Sequence, residues 1–173
     1  MSSGTVNSGT VIWITGLPSS GKSTLAARLV EELRRLGRAA CLLDGDEVRD
    51  RLVPKLGYSD ADRHAFYQTL ANLAGLLACQ KLDTVVAATA QRSEFRAYAR
   101  NRAPRFLEVY VDTPREECAK RDAKGLYAAS AAHSVTNLPG FDSEYEAPLA
   151  PDVVAHGGYD DEALARICAR VVG

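Results

Sequence analysis

Apolar residues come in short continuous runs, separated by stretches in which they recur every third or fourth position. The run Val11-Ile12-Trp13-Ile14 places strand one at Thr10 to Thr15. Leu25, Leu29, Leu33 and Leu36 then repeat at helical spacing, which predicts helix one from Lys22 to about Leu36, stopped by Gly37. Ala39-Ala40-Cys41-Leu42-Leu43 reads as a strand buried on both faces and ending at Asp44-Gly45-Asp46. A short helical piece with Val48, Arg49 and Leu52 gives way at Pro54 and Gly57. Ser59 is placed as the N-cap of a long helix from Asp60 to about Lys81, with Phe66, Leu70, Leu73, Leu76 and Leu77 on its buried side. Strand three is expected over Asp83 to Thr89, a helix over Glu94 to Arg102, and strand four over Phe106 to Asp112. Pro114, at a favoured first position, opens a helix to about Lys120.

From Arg121 to Pro151 no period lasts, and an aperiodic stretch of that length in a compact domain is the mark of a working loop such as a lid. Asp152 to Ala155 makes strand five, and Asp160 to Val172 a closing helix. Strands alternating with helices in this way predict an α/β fold of three layers, a five-stranded parallel sheet flanked by helices.

Composition narrows the function classes. The 173 residues fit one domain over 10–173, with its lid at about 121–151, behind a small polar tail over 1–9. A formal net charge of -1 offers no basic excess for nucleic acid. The tail lacks the charged start and apolar core of a signal peptide, and no later stretch is long and apolar enough for a bilayer. Cys41, Cys79, Cys118 and Cys168 are widely spaced within apolar patterns, so they read as reduced core thiols and the chain as cytoplasmic.

Between strand one and helix one stands Gly16-Leu17-Pro18-Ser19-Ser20-Gly21-Lys22-Ser23-Thr24, which fills every fixed position of G-x-x-x-x-G-K-[ST] in the strand-loop-helix context that the motif requires. Glycines let the backbone wrap so that its N–H groups face phosphate oxygens, and the helix start adds the positive end of its dipole. Gly16, Ser19, Ser20, Gly21, Lys22, Ser23 and Thr24 are therefore the candidate ATP-binding residues, with Lys22 on the β- and γ-phosphates and Ser23 on Mg²⁺. This is the P-loop NTPase version of the fold.

Ligands of open α/β sheets bind beyond the carboxyl ends of the strands. Asp44 and Asp46 leave strand two there, taken to be a neighbour of strand one, where a carboxylate can support Mg²⁺ or accept the proton of an attacking hydroxyl. The bland alternative is a turn that caps the next helix. Arg49, three residues after Asp46, can look into the same cleft. Arg63 opposes the dipole of the helix it opens, which favours a ligand role over a solvated one. Arg121 and Lys124 begin the lid, where they can close over a transferring phosphate.

Taken together, Gly16 to Thr24, Leu43-Asp44-Gly45-Asp46-x-Val48-Arg49, Leu56-Gly57-Tyr58-Ser59-x-x-Asp62-Arg63, Glu108 to Pro114, Arg121-Asp122-x-Lys124-Gly125-Leu126-Tyr127 and Gly140-x-Asp142-Ser143-x-Tyr145-Glu146-Ala147-Pro148 resemble the adenylylsulfate (APS) kinase family, in the family's order. The resemblance implies transfer of the γ-phosphate of MgATP to the 3′-hydroxyl of adenylylsulfate, a step of sulfate assimilation. It implies Asp46 as base, Asp44 with Ser23 at magnesium, Arg49 and Arg63 on the phosphosulfate, Tyr58 stacked on the acceptor adenine, and Arg121 and Lys124 in the lid. A homodimer is also implied.

The acceptor side departs from the family pattern. Phe66 stands where the family has Asn, Gln68-Thr69 replace an Arg-Arg pair, and Leu138 replaces the second aromatic of the adenine sandwich. Gln91-Arg92-Ser93-Glu94-Phe95-Arg96 replaces Phe-Ile-Ser-Pro-Tyr-Arg, and Ala128-Ala129-Ser130 leaves the lid neutral. Phe66, Arg92, Ser93 and Leu138 join the candidate substrate-binding residues, Ser93 being read also as a plain helix N-cap. Two alternatives stay open: a kinase of the same build acting on another nucleotide-like or sugar-phosphate hydroxyl, and a non-catalytic nucleotide-binding regulator. A GTPase switch is disfavoured because the chain has no Asn-Lys-x-Asp.

Overall fold

The structure is a computed structural model and describes residues 8–122, 125, 128, 129, 132 and 143–173. In chain order the elements are β1 (Val11–Thr15), α1 (Lys22–Arg35), β2 (Ala40–Asp44), α2 (Gly45–Arg51), α3 (Asp60–Cys79), β3 (Asp83–Ala87), α4 (Ser93–Arg102), β4 (Phe106–Val111), α5 (Arg115–Arg121), β5 (Val153–Ala155) and α6 (Asp161–Val172). All strands pair in parallel in the order β2-β3-β1-β4-β5.

Alternation along β1 divides the core. Ile12 and Ile14 point to one face, where Leu25, Leu29 and Leu33 of α1 and Ala163, Ile167 and Val171 of α6 cover them. Val11 and Trp13 point to the other, under Phe66, Tyr67, Leu70 and Ala74 of α3 and Phe95 and Ala99 of α4. With β1 in the centre, both faces of the strand before the glycine loop are sealed, and the loop is anchored from beneath.

Several expectations need correcting. β2 is an edge strand, not one buried on both faces: Leu42 is 37% exposed, and β3 separates β2 from β1. The buried side of α3 includes the small residues Ala71, Ala74, Gly75 and Ala78, with Gly75 packed against Arg102 of α4, while Leu76 is exposed. Cys79 is exposed and Cys41 half-buried, leaving Cys118 and Cys168 as core thiols; none of the four forms a disulfide. Pro114 is the N-cap of α5 rather than its first residue, and Arg92 rather than Ser93 is the N-cap of α4. Among the described residues no helix is long and apolar enough to cross a membrane.

Candidate active site

Left-handed backbone shapes the loop after β1, with φ 61° at Ser19 and 108° at Gly21. The second position needs glycine twice over, since a Cβ there would lie 2.5 Å from the Gly158 backbone nitrogen. Gly21 is the N-cap of α1 but supplies no side-chain cap, and the first turn of α1 holds no acidic residue. The other described helices each carry acid in that turn. At α1 the N–H groups of the first turn thus form a positive dipole end with no acidic residue in the turn itself, a condition that favours receiving phosphate from outside. Lys22 Nζ donates across the loop to the Leu17 carbonyl at 2.6 Å.

Behind the loop, the Thr15 hydroxyl donates to the Thr89 carbonyl at 2.6 Å and lies 3.0 Å from the Tyr145 hydroxyl. Burial pushes the Tyr145 phenol well above its usual range, so it stays neutral. On the α5 side, the Ser20 carbonyl accepts from Thr113 Oγ1 at 2.8 Å and from Arg121 at 3.4 Å, which places Arg121 beside the loop. Gly16 and Ser20 are buried, whereas Thr24 is half-buried and Ser23 exposed at the start of α1.

At the tip of β2 the Asp44 carboxylate has two tasks. Oδ1 accepts from the N–H groups of Asp46 (3.0 Å) and Glu47 (3.5 Å), capping α2, while Oδ2 accepts from Ser23 Oγ at 2.6 Å. The capping reading and the cleft reading therefore describe two oxygens of one group. The Ser23 bond also ties the glycine-loop helix to the edge strand across the intervening β3. Asp46, exposed in the first turn of α2, stands beside this junction. Among the described residues no group of three or more His, Cys, Asp or Glu side chains forms a metal cage. A hydroxyl converging on a carboxylate suits instead a Mg²⁺ that takes few protein ligands and completes its shell with phosphate oxygens and water.

Further along α2, Arg49 is buried and donates to the Gly57 carbonyl at 2.6 Å. Burial pushes its guanidinium below the ordinary arginine value. Arg63 donates to the Tyr58 carbonyl at 3.0 Å, and both guanidiniums lie against the Tyr58 ring, with Cζ-to-centroid distances of 4.8 Å for Arg49 and 5.6 Å for Arg63. Tyr58 itself is 60% exposed. The structure thus brings Asp44, Asp46, Arg49, Tyr58 and Arg63 into one neighbourhood.

Phe66 needs a correction: it is only 2% exposed, lies beneath Arg49, and forms part of the α3 core rather than a surface a substrate could touch. Arg92 bonds Asp60 at the start of α3 (3.2 Å) and lies 3.5 Å from Glu94. Ser93, the first residue of α4, donates its N–H to Glu146 Oε2 at 2.7 Å, and its main-chain and side-chain bonds hold the Glu146 carboxyl below its ordinary value. Lys124 and Leu138 lie outside the described residues.

Two features are missing from the sequence reading. Arg96, buried, donates to the Ala90 carbonyl (2.6 Å), the Glu146 carbonyl (2.7 Å) and Glu108 Oε1 (2.9 Å), knotting the segment after β3 to that before β5. Gly157 and Gly158 pack the turn after β5 onto the glycine loop, where Arg28 donates to the Gly158 carbonyl at 3.1 Å and pairs with Asp161. A Gly-Gly pair one residue after a strand was the only signal of that contact in the sequence.

This architecture has known relatives. Residues 8–156 match the family described as adenylylsulphate kinase. An adenylyl-sulfate kinase of Citrobacter koseri is 43% identical over 151 residues, covering 86% of this chain and 75% of the relative, and one of Escherichia coli O1:K1 / APEC is 42% identical over the same span. The solved structure of the Mycobacterium tuberculosis APS kinase CysC in complex with AMPPNP and APS superposes with a TM-score of 0.85 at 38% identity, covering 92% of this chain and 96% of that one. Because the family match takes in all five strands and both walls of the cleft, the chain belongs to the adenylylsulphate kinase family.

Proposed function

We propose that this protein transfers the γ-phosphoryl group of MgATP to the 3′-hydroxyl of adenylylsulfate, giving 3′-phosphoadenylylsulfate and ADP. The observation that carries the reading is the 2.6 Å bond from Ser23 to Asp44, which joins a loop built for phosphate to the turn that carries Asp46. The family's description as adenylylsulphate kinase and the relative whose structure holds AMPPNP and APS support the same assignment.

In this reading the N–H groups of Gly21 to Thr24 cradle the donor phosphates, together with Gly16, Ser19 and Ser20 in the loop wall. Lys22 exchanges the Leu17 carbonyl for the β- and γ-phosphate oxygens. Ser23 and Asp44 hold Mg²⁺, which when bound neutralises charge on the polyphosphate. Asp46 accepts the proton of the 3′-hydroxyl, whose oxygen bonds to the γ-phosphorus as the bond to the β–γ bridging oxygen breaks and ADP leaves. Arg49 and Arg63 face the phosphosulfate and Tyr58 offers its exposed ring to the acceptor adenine. Arg92 and Ser93 flank that side, and Arg121 with Lys124 closes the donor side against water. Lid residue Leu138 takes the place of a second adenine-stacking ring.

The test is ADP release from MgATP with and without adenylylsulfate. Marked stimulation is expected. No stimulation by adenylylsulfate together with stimulation by another nucleotide or a sugar phosphate would overturn the assignment in favour of a different acceptor.

A further inference from the structure

The buried arginine of α2 is held in an unusual way. Arg49 is 9% exposed, and among the described residues no carboxylate lies within ion-pair distance of it. Its guanidinium carbon stands 3.8 Å from the centroid of Phe66, with Tyr58 as a second aromatic neighbour at 4.8 Å. Phe66 is a firm base for this stack. Its ring meets Tyr67 edge-on at 5.2 Å, Tyr67 stacks on Phe95 at 4.5 Å, and the Tyr67 hydroxyl oxygen accepts the Ala90 N–H at 2.9 Å.

A carboxylate partner would neutralise the cation and compete with any anionic ligand. An aromatic face attracts the same cation and leaves its N–H edges and its charge available. We propose that Phe66 is a positioning residue that holds Arg49 against its ring, with Tyr58 as a second aromatic neighbour, and so presents a guanidinium without a carboxylate in ion-pair contact among the described residues to the anionic group of the acceptor. This chain thereby uses a ring face at a position where the resembling family carries a hydrogen-bonding amide. The inference rests on the acceptor-side reading of Arg49 given above.

Phe66→Leu and Phe66→Met keep an apolar volume and remove the ring, while Phe66→Tyr keeps the ring. Two measurements are made on each: steady-state KM for adenylylsulfate and for ATP, and the ¹H–¹⁵N resonance of the Arg49 Nε–H, assigned by its loss in Arg49→Lys. In the ring-less variants KM for adenylylsulfate rises about tenfold with KM for ATP unchanged, and the Arg49 resonance leaves its ring-shifted position. Phe66→Tyr restores both. An unmoved Arg49 resonance in Phe66→Leu and Phe66→Met overturns the proposal, as does equal damage in all three variants. A wild-type enzyme that adenylylsulfate fails to stimulate would sink the acceptor assignment alone, because the resonance still reads the stack without any substrate.

Discussion

Adding one methyl group at Gly158 tests how the turn after β5 supports the phosphate loop. An ideal Cβ there would lie 2.6 Å from Thr24 Cβ, 3.0 Å from Thr24 Cγ2 and 2.9 Å from the Gly21 carbonyl oxygen. Thr24 Cγ2 can swing away about χ1, but Thr24 Cβ and the Gly21 carbonyl oxygen cannot step aside by a rotamer change. Thr24 sits in the first turn of α1, whose next residue, Leu25, is fully buried and donates its N–H to the same Gly21 oxygen at 3.0 Å. The turn must instead withdraw until a 2.6 Å approach becomes an ordinary contact beyond 3.4 Å, and that withdrawal stretches the 3.1 Å bond from Arg28 to the Gly158 carbonyl. Overpacking of this kind costs about 1–3 kcal/mol, and a weakened hydrogen bond adds up to about 1 kcal/mol. The lost freedom of the unfolded chain returns about 0.4–1 kcal/mol, since Gly158 does not adopt a left-handed conformation. Gly158→Ala is therefore expected to lower stability by about 1–3 kcal/mol in urea unfolding. Because the displaced turn touches the α1 N-terminus, affinity for MgATP should also fall. A variant as stable as the parent, with unchanged ATP affinity, would refute the claim that this contact braces the loop.

Other consequences are equally direct. Asp46→Asn keeps the shape of the side chain but cannot take a proton, so kcat should drop about 10²- to 10⁴-fold with little change in KM for ATP; full activity would remove Asp46 from the mechanism. Asp83 is 1% exposed and accepts from Arg38 Nε (2.6 Å), Arg38 Nη2 (3.0 Å) and the Thr10 N–H (2.9 Å). Arg38→Ala strands this carboxylate and should cost about 3 kcal/mol, part of which Asp83→Asn in the same background recovers by removing the charge while keeping an acceptor for Thr10; urea midpoints decide. Asp160 caps α6, and its bonds from the Ala163 and His156 N–H groups hold its carboxyl below the ordinary value of 3.8. The depressed value means that the cap's contribution is fully present above about pH 4 and is lost as pH falls through the folded value. The stability difference between wild type and Asp160→Ala should shrink on acidification from pH 7 to pH 3; a constant gap would argue against an ionised cap.

Much of the molecule was legible in its residue order because it rests on local rules. The apolar run at Val11 to Ile14, the Leu25–Leu29–Leu33 stripe and the spacing of Gly16, Gly21, Lys22 and Ser23 define strand, helix and phosphate loop within one short span. Family membership was equally readable, since the blocks that carry it are contiguous motifs. Local pattern could not tell which strand lies at the sheet edge, because an apolar run such as Ala39 to Leu43 looks the same whether one or both sides are covered; strand order decided that. Nor could it say that Asp44 divides its two oxygens between a helix cap and Ser23, as that requires two segments 21 residues apart to meet. Phe66 shows the limit most clearly. Its place in the family pattern, where the family has Asn, suggests a substrate contact, but its burial and the arginine over its ring are set by how α2 packs against α3. Periodicity and motif chemistry act through neighbours along the chain, whereas burial, charge pairing and the sharing of one carboxylate act through neighbours in space, which only the folded sheet supplies.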